Sequence, residues 1–162
     1  MEAKDRLVVN AALDHVLGNR YVCGVLFYAG YPRLIVDELN ATAKPVREGI
    51  GVYVASTWKL FDSRPGDEVG QASGFPEQEI SDLCRTAGEL MNVRIVSATV
   101  AAPVSHLMIE FENGRVLVLD GSSQTVEGWE INSGDFGILA NQGDGVAYWT
   151  PDHFAAPARH AS

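Results

Sequence analysis

The chain has 162 residues, 46% hydrophobic and 20% charged, with 16 glycines and 7 prolines. A chain of this size buries roughly 68–70% of its unfolded surface, so a core needs neither metal nor disulfide, and the composition excludes a disordered protein. With 12 Lys+Arg against 21 Asp+Glu the net charge is −9; such a surface repels phosphate backbones and anionic lipid, which excludes nucleic acid and membrane surfaces as expected partners, and it speeds encounter with a basic protein.

Residues 5–17 carry Val9, Leu13, Val16 and Leu17 at helical spacing, with Gly18 as a stop, so an amphipathic helix is predicted first. The opening Met-Glu-Ala-Lys-Asp-Arg leads into an apolar stretch broken by Asn10 and Asp14. It does not read as a signal peptide, and no run of about 18 apolar residues is present to span a bilayer. Tyr21–Tyr28 and Arg33–Leu39 are rich in β-branched and aromatic residues and flank Gly30-Tyr31-Pro32, which predicts a hairpin. Asn40–Glu48 is a polar connection, Gly51–Phe61 one or two further strands, and Asp62–Phe75 a loop carrying Pro65-Gly66, Gly70 and Gly74.

A second helix is predicted to open at Pro76, with Ile80, Leu83, Cys84 and Ala87 on one apolar face. Strands follow at Val93–Ala101 and His106–Glu112, with a turn near Pro103. Asn113-Gly114 then joins His106–Glu112 to Arg115–Asp120, the strongest hairpin signal in the chain. Thr125–Asn132 is next, then a turn at Ser133-Gly134-Asp135. Phe136–Ala140 and Gly145–Thr150 form a closing hairpin around Asn141-Gln142-Gly143-Asp144. Residues 151–162 read as a flexible tail. The predicted class is therefore α+β: mostly antiparallel strands in two similar β-units with two helices, within one globular domain over 1–150.

The two units, about 5–75 and 76–150, align at a shift of 73, which sets Leu17 on Leu90, Asn19 on Asn92, Val22 on Ile95, Leu34 on Leu107 and Val36 on Ile109. Trp58 and Trp129 align at a shift of 71. Cys23 and Cys84 belong to no CxxC pair and sit in apolar settings, so both are expected to be free, buried thiols in a reducing cytoplasm.

The four histidines, His15, His106, His153 and His160, lie at no metal-ligand spacing with Cys or carboxylate. There is no GxSxG elbow and no P-loop; Gly49-Ile50-Gly51 lacks the rest of a dinucleotide fingerprint. Neither cofactor, metal nor catalytic residue is expected. Glu110 and Glu112 are two apart on a strand, on one face and about 7 Å from each other, a separation that an inverting glycosidase also uses. With Ile109 and Phe111 on the opposite face, a polar outer face is the simpler reading. Glu127 and Glu130 are three apart and point to opposite faces; whichever turns inward needs a partner, and Arg115 is a candidate. Trp129 between them is either core or, if exposed, a binding anchor.

The run Leu107–Leu117, then Val126-Glu127-Gly128-Trp129-Glu130-Ile131, then Gly143-Asp144-Gly145-Val146-Ala147-Tyr148-Trp149 resembles DUF6188, a family of small bacterial proteins of immunity type. The likeness lies in a Phe-x-x-Gly-x-x-Leu strand pair, a Glu-x-Trp-Glu strand and a glycine turn before a final Trp. Gly18-Asn19-Arg20 and Trp58-Lys59-Leu60 match more loosely, and the segment Asn40–Gly49 and the tail depart from the pattern. The resemblance implies a bacterial protein that neutralises a cognate toxin, and it identifies no catalytic residue; the cytoplasmic expectation comes from the two cysteines. The acidic surface suits a toxin with a basic cleft, and Glu110, Glu112, Glu127, Trp129, Glu130, Asp135 and Asp144 are the expected contact residues. Two rivals stand beside this: a small ligand-binding or hydrolytic domain with a carboxylate/Trp pocket, and a structural module dimerising through an exposed strand edge.

Overall fold

A computed structural model describes residues 3–28, 31–38, 49–66, 69, 74–101, 104–123, 128–133, 137–140 and 145–149. Helix α1 (Ala3–Leu17) buries Val9, Leu13, Val16 and Leu17, the stripe that its periodicity marks. A hairpin follows, β1 (Tyr21–Tyr28) and β2 (Tyr31–Asp37), then β3 (Ile50–Val54) and β4 (Trp58–Phe61). Helix α2 (Ile80–Leu90) leads to β5 (Ile95–Val100), β6 (Leu107–Phe111), β7 (Val116–Leu119), β8 (Trp129–Asn132), β9 (Gly137–Ala140) and β10 (Val146–Trp149). The fold is α+β and mostly strand, in two antiparallel sheets. One runs β1-β2-β3-β8-β9-β10, the other β4-β7-β6-β5.

Each helix ends on an asparagine in the left-handed region, Asn19 at φ 61° and Asn92 at φ 60°, a conformation that asparagine tolerates and most side chains resist. Past each end the strand bulges, between Val22 and Gly24 in β1 and between Ile95 and Ser97 in β5, again 73 residues apart. In the second strand of each hairpin the correspondence shifts. Val22 pairs with Val36 and Ile95 with Phe111, so Val36 corresponds to Phe111 and Leu34 to Ile109, two residues beyond the alignment read from sequence. The cause is a β5–β6 connection two residues longer than its counterpart.

The fourth strands exchange places. Leu34 pairs with Val52, which pairs with Ile131; Ile109 pairs with Leu117, which pairs with Leu60. Thus β4 adds to the sheet of the second half and β8 to the sheet of the first. Trp129 opposite Val54 matches Trp58 opposite Leu119. Reciprocal backbone bonds hold the crossing: Asn19 N–H to Ile95 O (2.9 Å) with Asn92 N–H to Val22 O (3.1 Å), and Ala55 N–H to Gly128 O (3.2 Å) with Asp120 N–H to Thr57 O (2.9 Å).

One core joins both sheets and both helices, with Leu13, Leu17, Leu34, Leu83, Leu90, Ile109, Phe111, Leu119 and Trp129 among its largest members. Strand β7 is buried on both faces. Leu117 and Leu119 face this core, while Val116 and Val118 pack with Val69, Phe61, Phe75 and Met108. Helix α1 also lies along β5, where Asn10 Oδ1 accepts from Val100 N (2.8 Å) and Asp14 Oδ1 from Ala98 N (2.9 Å). That edge is therefore closed to a second chain.

Several expectations are corrected. Helix α2 begins at Ile80, not Pro76, and Asp82 accepts the N–H of Glu79 at 3.3 Å to close its first turn. Its buried residues are Leu83, Thr86, Ala87 and Leu90; Ile80 is 56% exposed and Cys84 is exposed. That buried stripe, on the side of α2 that meets β1 and β2, excludes Ile80 and Cys84. Cys23 is exposed as well, at the β1 bulge. Gly114 has φ 83°, but Asn113 is not left-handed, and Gly114 N–H and Arg115 O both bond to Phe111. The hairpin loop is thus a three-residue turn ending on a left-handed glycine, not the two-residue primed form. The connection Asn40–Glu48, Pro103, Gly134-Asp135 of the turn after β8, Asn141–Asp144 and the tail 151–162 lie outside the described residues.

Candidate functional site

Where the chain passes from β3 to β4 it changes sheets, and Ala55-Ser56-Thr57 is pinned at the crossing. Ser56 Oγ donates to Asp120 O (2.6 Å) and is 2.9 Å from Gly128 O. Thr57 Oγ1 accepts from Phe75 N (2.9 Å) and donates to Asp120 Oδ2 (3.3 Å). Trp58 N donates to Gln78 Oε1 (3.3 Å), which ties the approach to α2 against the start of β4. Between this crossing and the first turn of α2 a cleft of about 510 Å³ opens. Val54 through Trp58, Pro32, Phe75 and Leu83 line it, with Val54, Trp58 and Leu83 buried, together with Gln78 and the exposed Glu77, Glu79 and Ile80, which form its rim. Its volume falls in the range of sites that hold a ligand or an inserted side chain.

A buried polar cluster supports the crossing. Asp120 Oδ1 accepts from both the N–H (2.8 Å) and the hydroxyl (2.6 Å) of Ser122, and Oδ2 takes Thr57. His106 is fully buried, its ring 5.6 Å from that of Phe75. Its Nδ1 lies 3.0 Å from Gly121 N and 3.3 Å from Asp120 Oδ1. A backbone N–H always carries its proton, so Nδ1 is the acceptor and the ring proton sits on Nε2. The 3.3 Å contact is then no ion pair, and this is not the His–carboxylate geometry of a nucleophilic triad, in which Nδ1 donates to the acid. Trp129 is also fully buried, and its Nε1–H donates to Ser105 O at 2.8 Å.

The residues singled out from sequence are dispersed. Glu110 lies on β6 of the four-stranded sheet, held by Arg64 (3.2 Å) and Ser97 (3.3 Å). Glu112 lies past the end of β6 and meets Arg94, whose backbone N–H (3.2 Å) and Nε (3.1 Å) both donate to it. The two carboxylates thus engage different arginines and form no shared acid/base pair. Glu130 is on β8 of the other sheet, accepts from Asn132 Nδ2 (3.1 Å) and does not meet Arg115, which pairs with Glu89 and Asp62. Trp129 as a surface anchor is corrected: with Ile131 it turns into the core. Glu127, Asp135 and Asp144 lie outside the described residues.

The sequence reading missed the cleft. Glu77 and Glu79 fall in the stretch predicted to open the second helix at Pro76, and Trp58 within the predicted strand region Gly51–Phe61. Pro76-Glu-Gln-Glu ahead of the helix, facing a Ser-Thr-Trp crossing, is the signal that marks it. Among the described residues no group of three or more His, Cys, Asp or Glu is placed to hold a metal, and no helix is long and apolar enough to cross a membrane. Compared with protein-family models, curated proteins and solved structures, the chain matches none.

Proposed function

We propose that the protein is an immunity-type binding module that docks on a basic protein, a cognate toxin, and blocks it by occupying its active site or substrate groove. The observation that carries this reading is the cleft rim. The net charge is −9, yet Glu110 and Glu112 are each matched by an arginine. In contrast, Glu77 and Glu79 stand at the mouth of a concave site beside the exposed Ile80. Acidic side chains around an apolar contact suit a surface rich in Lys or Arg. They give fast, selective encounter while the concavity supplies the desolvated centre that affinity needs.

The reading assigns the protein no turnover. Its test is co-expression with the protein encoded immediately upstream, followed by co-purification and a growth assay. A stoichiometric complex and restored growth are expected. Absence of both overturns the reading.

A further inference from the structure

Strands β1 and β5 are corresponding edge strands, and the chain caps only one of them. At the shift of 73, Val22 corresponds to Ile95, Val25 to Ala98, Leu26 to Thr99 and Phe27 to Val100, with the bulge at the same place in both. In β5 the N–H groups of Ala98 and Val100 are taken up by Asp14 Oδ1 (2.9 Å) and Asn10 Oδ1 (2.8 Å) of α1. In β1 the equivalent groups belong to Val25 and Phe27. Phe27 stands opposite Pro32, which has no N–H, so that pair exchanges no hydrogen bonds. The N–H and C=O of Val25 and Phe27 therefore face away from β2. The positions of α2 that correspond to Asn10 and Asp14 are Leu83 and Ala87, which carry no acceptor. No described residue accepts the N–H of Val25. Helix α2 has also moved off the edge: it lies against both β1 and β2, and its Leu83 lines the cleft with Pro32 of β2 and Val54 of β3, whereas α1 lies along β5.

Strand β1 reads Tyr-Val-Cys-Gly-Val-Leu-Phe-Tyr, without a charge, in a chain with 12 Lys+Arg and 21 Asp+Glu. Edge strands that stay single are blunted by charge, proline or a bulge. Here the bulge lies at the start of the strand, where Val22 O already accepts from Asn92 N (3.1 Å). We infer that the edge around Leu26 is a self-association site, on which β1 of a second copy of this chain pairs antiparallel across a two-fold axis at Leu26. The edge is its own complement. Outward-facing residues two apart set Val25 opposite Phe27 of the second copy, and each such pair exchanges both of its N–H···O=C bonds. Val25 packs toward the core, so Leu26 lies on the other face of the sheet and meets its own copy there, at a Cα separation of about 4.5 Å. No charge is brought into contact, and the net charge of each chain acts only through screened distance. This inference goes beyond the docking function and does not rest on it.

The test is light scattering of the intact protein at about 100 μM, a concentration that populates a dimer of micromolar affinity. A mass of twice 17.5 kDa is expected. Leu26→Lys sets two ammonium groups against each other across the axis and should weaken the dimer at least about tenfold, while Thr99→Lys, at the corresponding position on the capped edge, leaves it intact. In a Cys23→Ser/Cys84→Ser background, Leu26→Cys should close an intermolecular disulfide under mild oxidation and Thr99→Cys should not. The cysteine variant adds no charge, so it decides the matter even if Leu26→Lys fails to fold. A monomer at this concentration overturns the inference. So does a dimer that folded Leu26→Lys leaves intact, one that Leu26→Cys does not cross-link, or equal cross-linking through Thr99→Cys.

Discussion

Glu112 is exposed, yet its carboxylate is already engaged. The N–H of Arg94 first, and its guanidinium second, hold the carboxyl below the usual glutamate range. A lowered folded pKa contributes stability in full above the unfolded value and loses it as pH falls through the folded one. In a carbon-detected titration Glu112 should therefore titrate below an ordinary glutamate. Arg94→Ala should return it only part of the way, because the larger cause is a backbone donor that alanine keeps. Full return, or none, would contradict this assignment. Cys23 and Cys84 give a second check: both are exposed, so a maleimide should label two thiols per chain without denaturant. At this scale the outward direction of Glu110 and Glu112 was legible from alternation with Ile109 and Phe111. Their partners were not, because Arg64 and Arg94 are brought beside them by strand pairing that no local pattern encodes.

At the scale of elements, helix α1 and the hairpins were legible wherever periodicity and glycine turns agree. The start of α2 was not, because Pro76 at a helix-opening position competes with a cap three residues on, and the Glu79–Asp82 pair decides it. The exchange of β4 and β8 had no local signature; what the sequence carried was the offset of 71 between two tryptophans, which acquires meaning only with the registers. The paired helix stops at Asn19 and Asn92 yield a prediction. Alanine at either position should cost about 1 kcal/mol, since the left-handed conformation penalises a Cβ without the amide's compensation, while glycine should cost nothing or stabilise. Denaturant midpoints measure both. Gly121→Ala should cost at least about 3 kcal/mol, because the new methyl meets the carbonyl of Ser105 rather than a side chain able to move.

For the whole molecule, charge and concavity converge on one place. An excess of carboxylates over cations names a preference but no address. The arginine pairs on the four-stranded sheet show that much of the acidity predicted to meet a partner is already matched within the chain. The cleft supplies the address, with the exposed Glu77 and Glu79 in its lining. The measurement that tests this most directly is calorimetric titration of the intact protein, and of a Glu77→Lys/Glu79→Lys variant, into the protein encoded upstream, at low and at physiological salt. The account predicts tight binding that weakens as salt rises, and a loss on the order of ten- to a hundredfold in the variant, which stays folded although loss of the Glu79 cap lowers its unfolding temperature. Equal affinity of the two forms would contradict it.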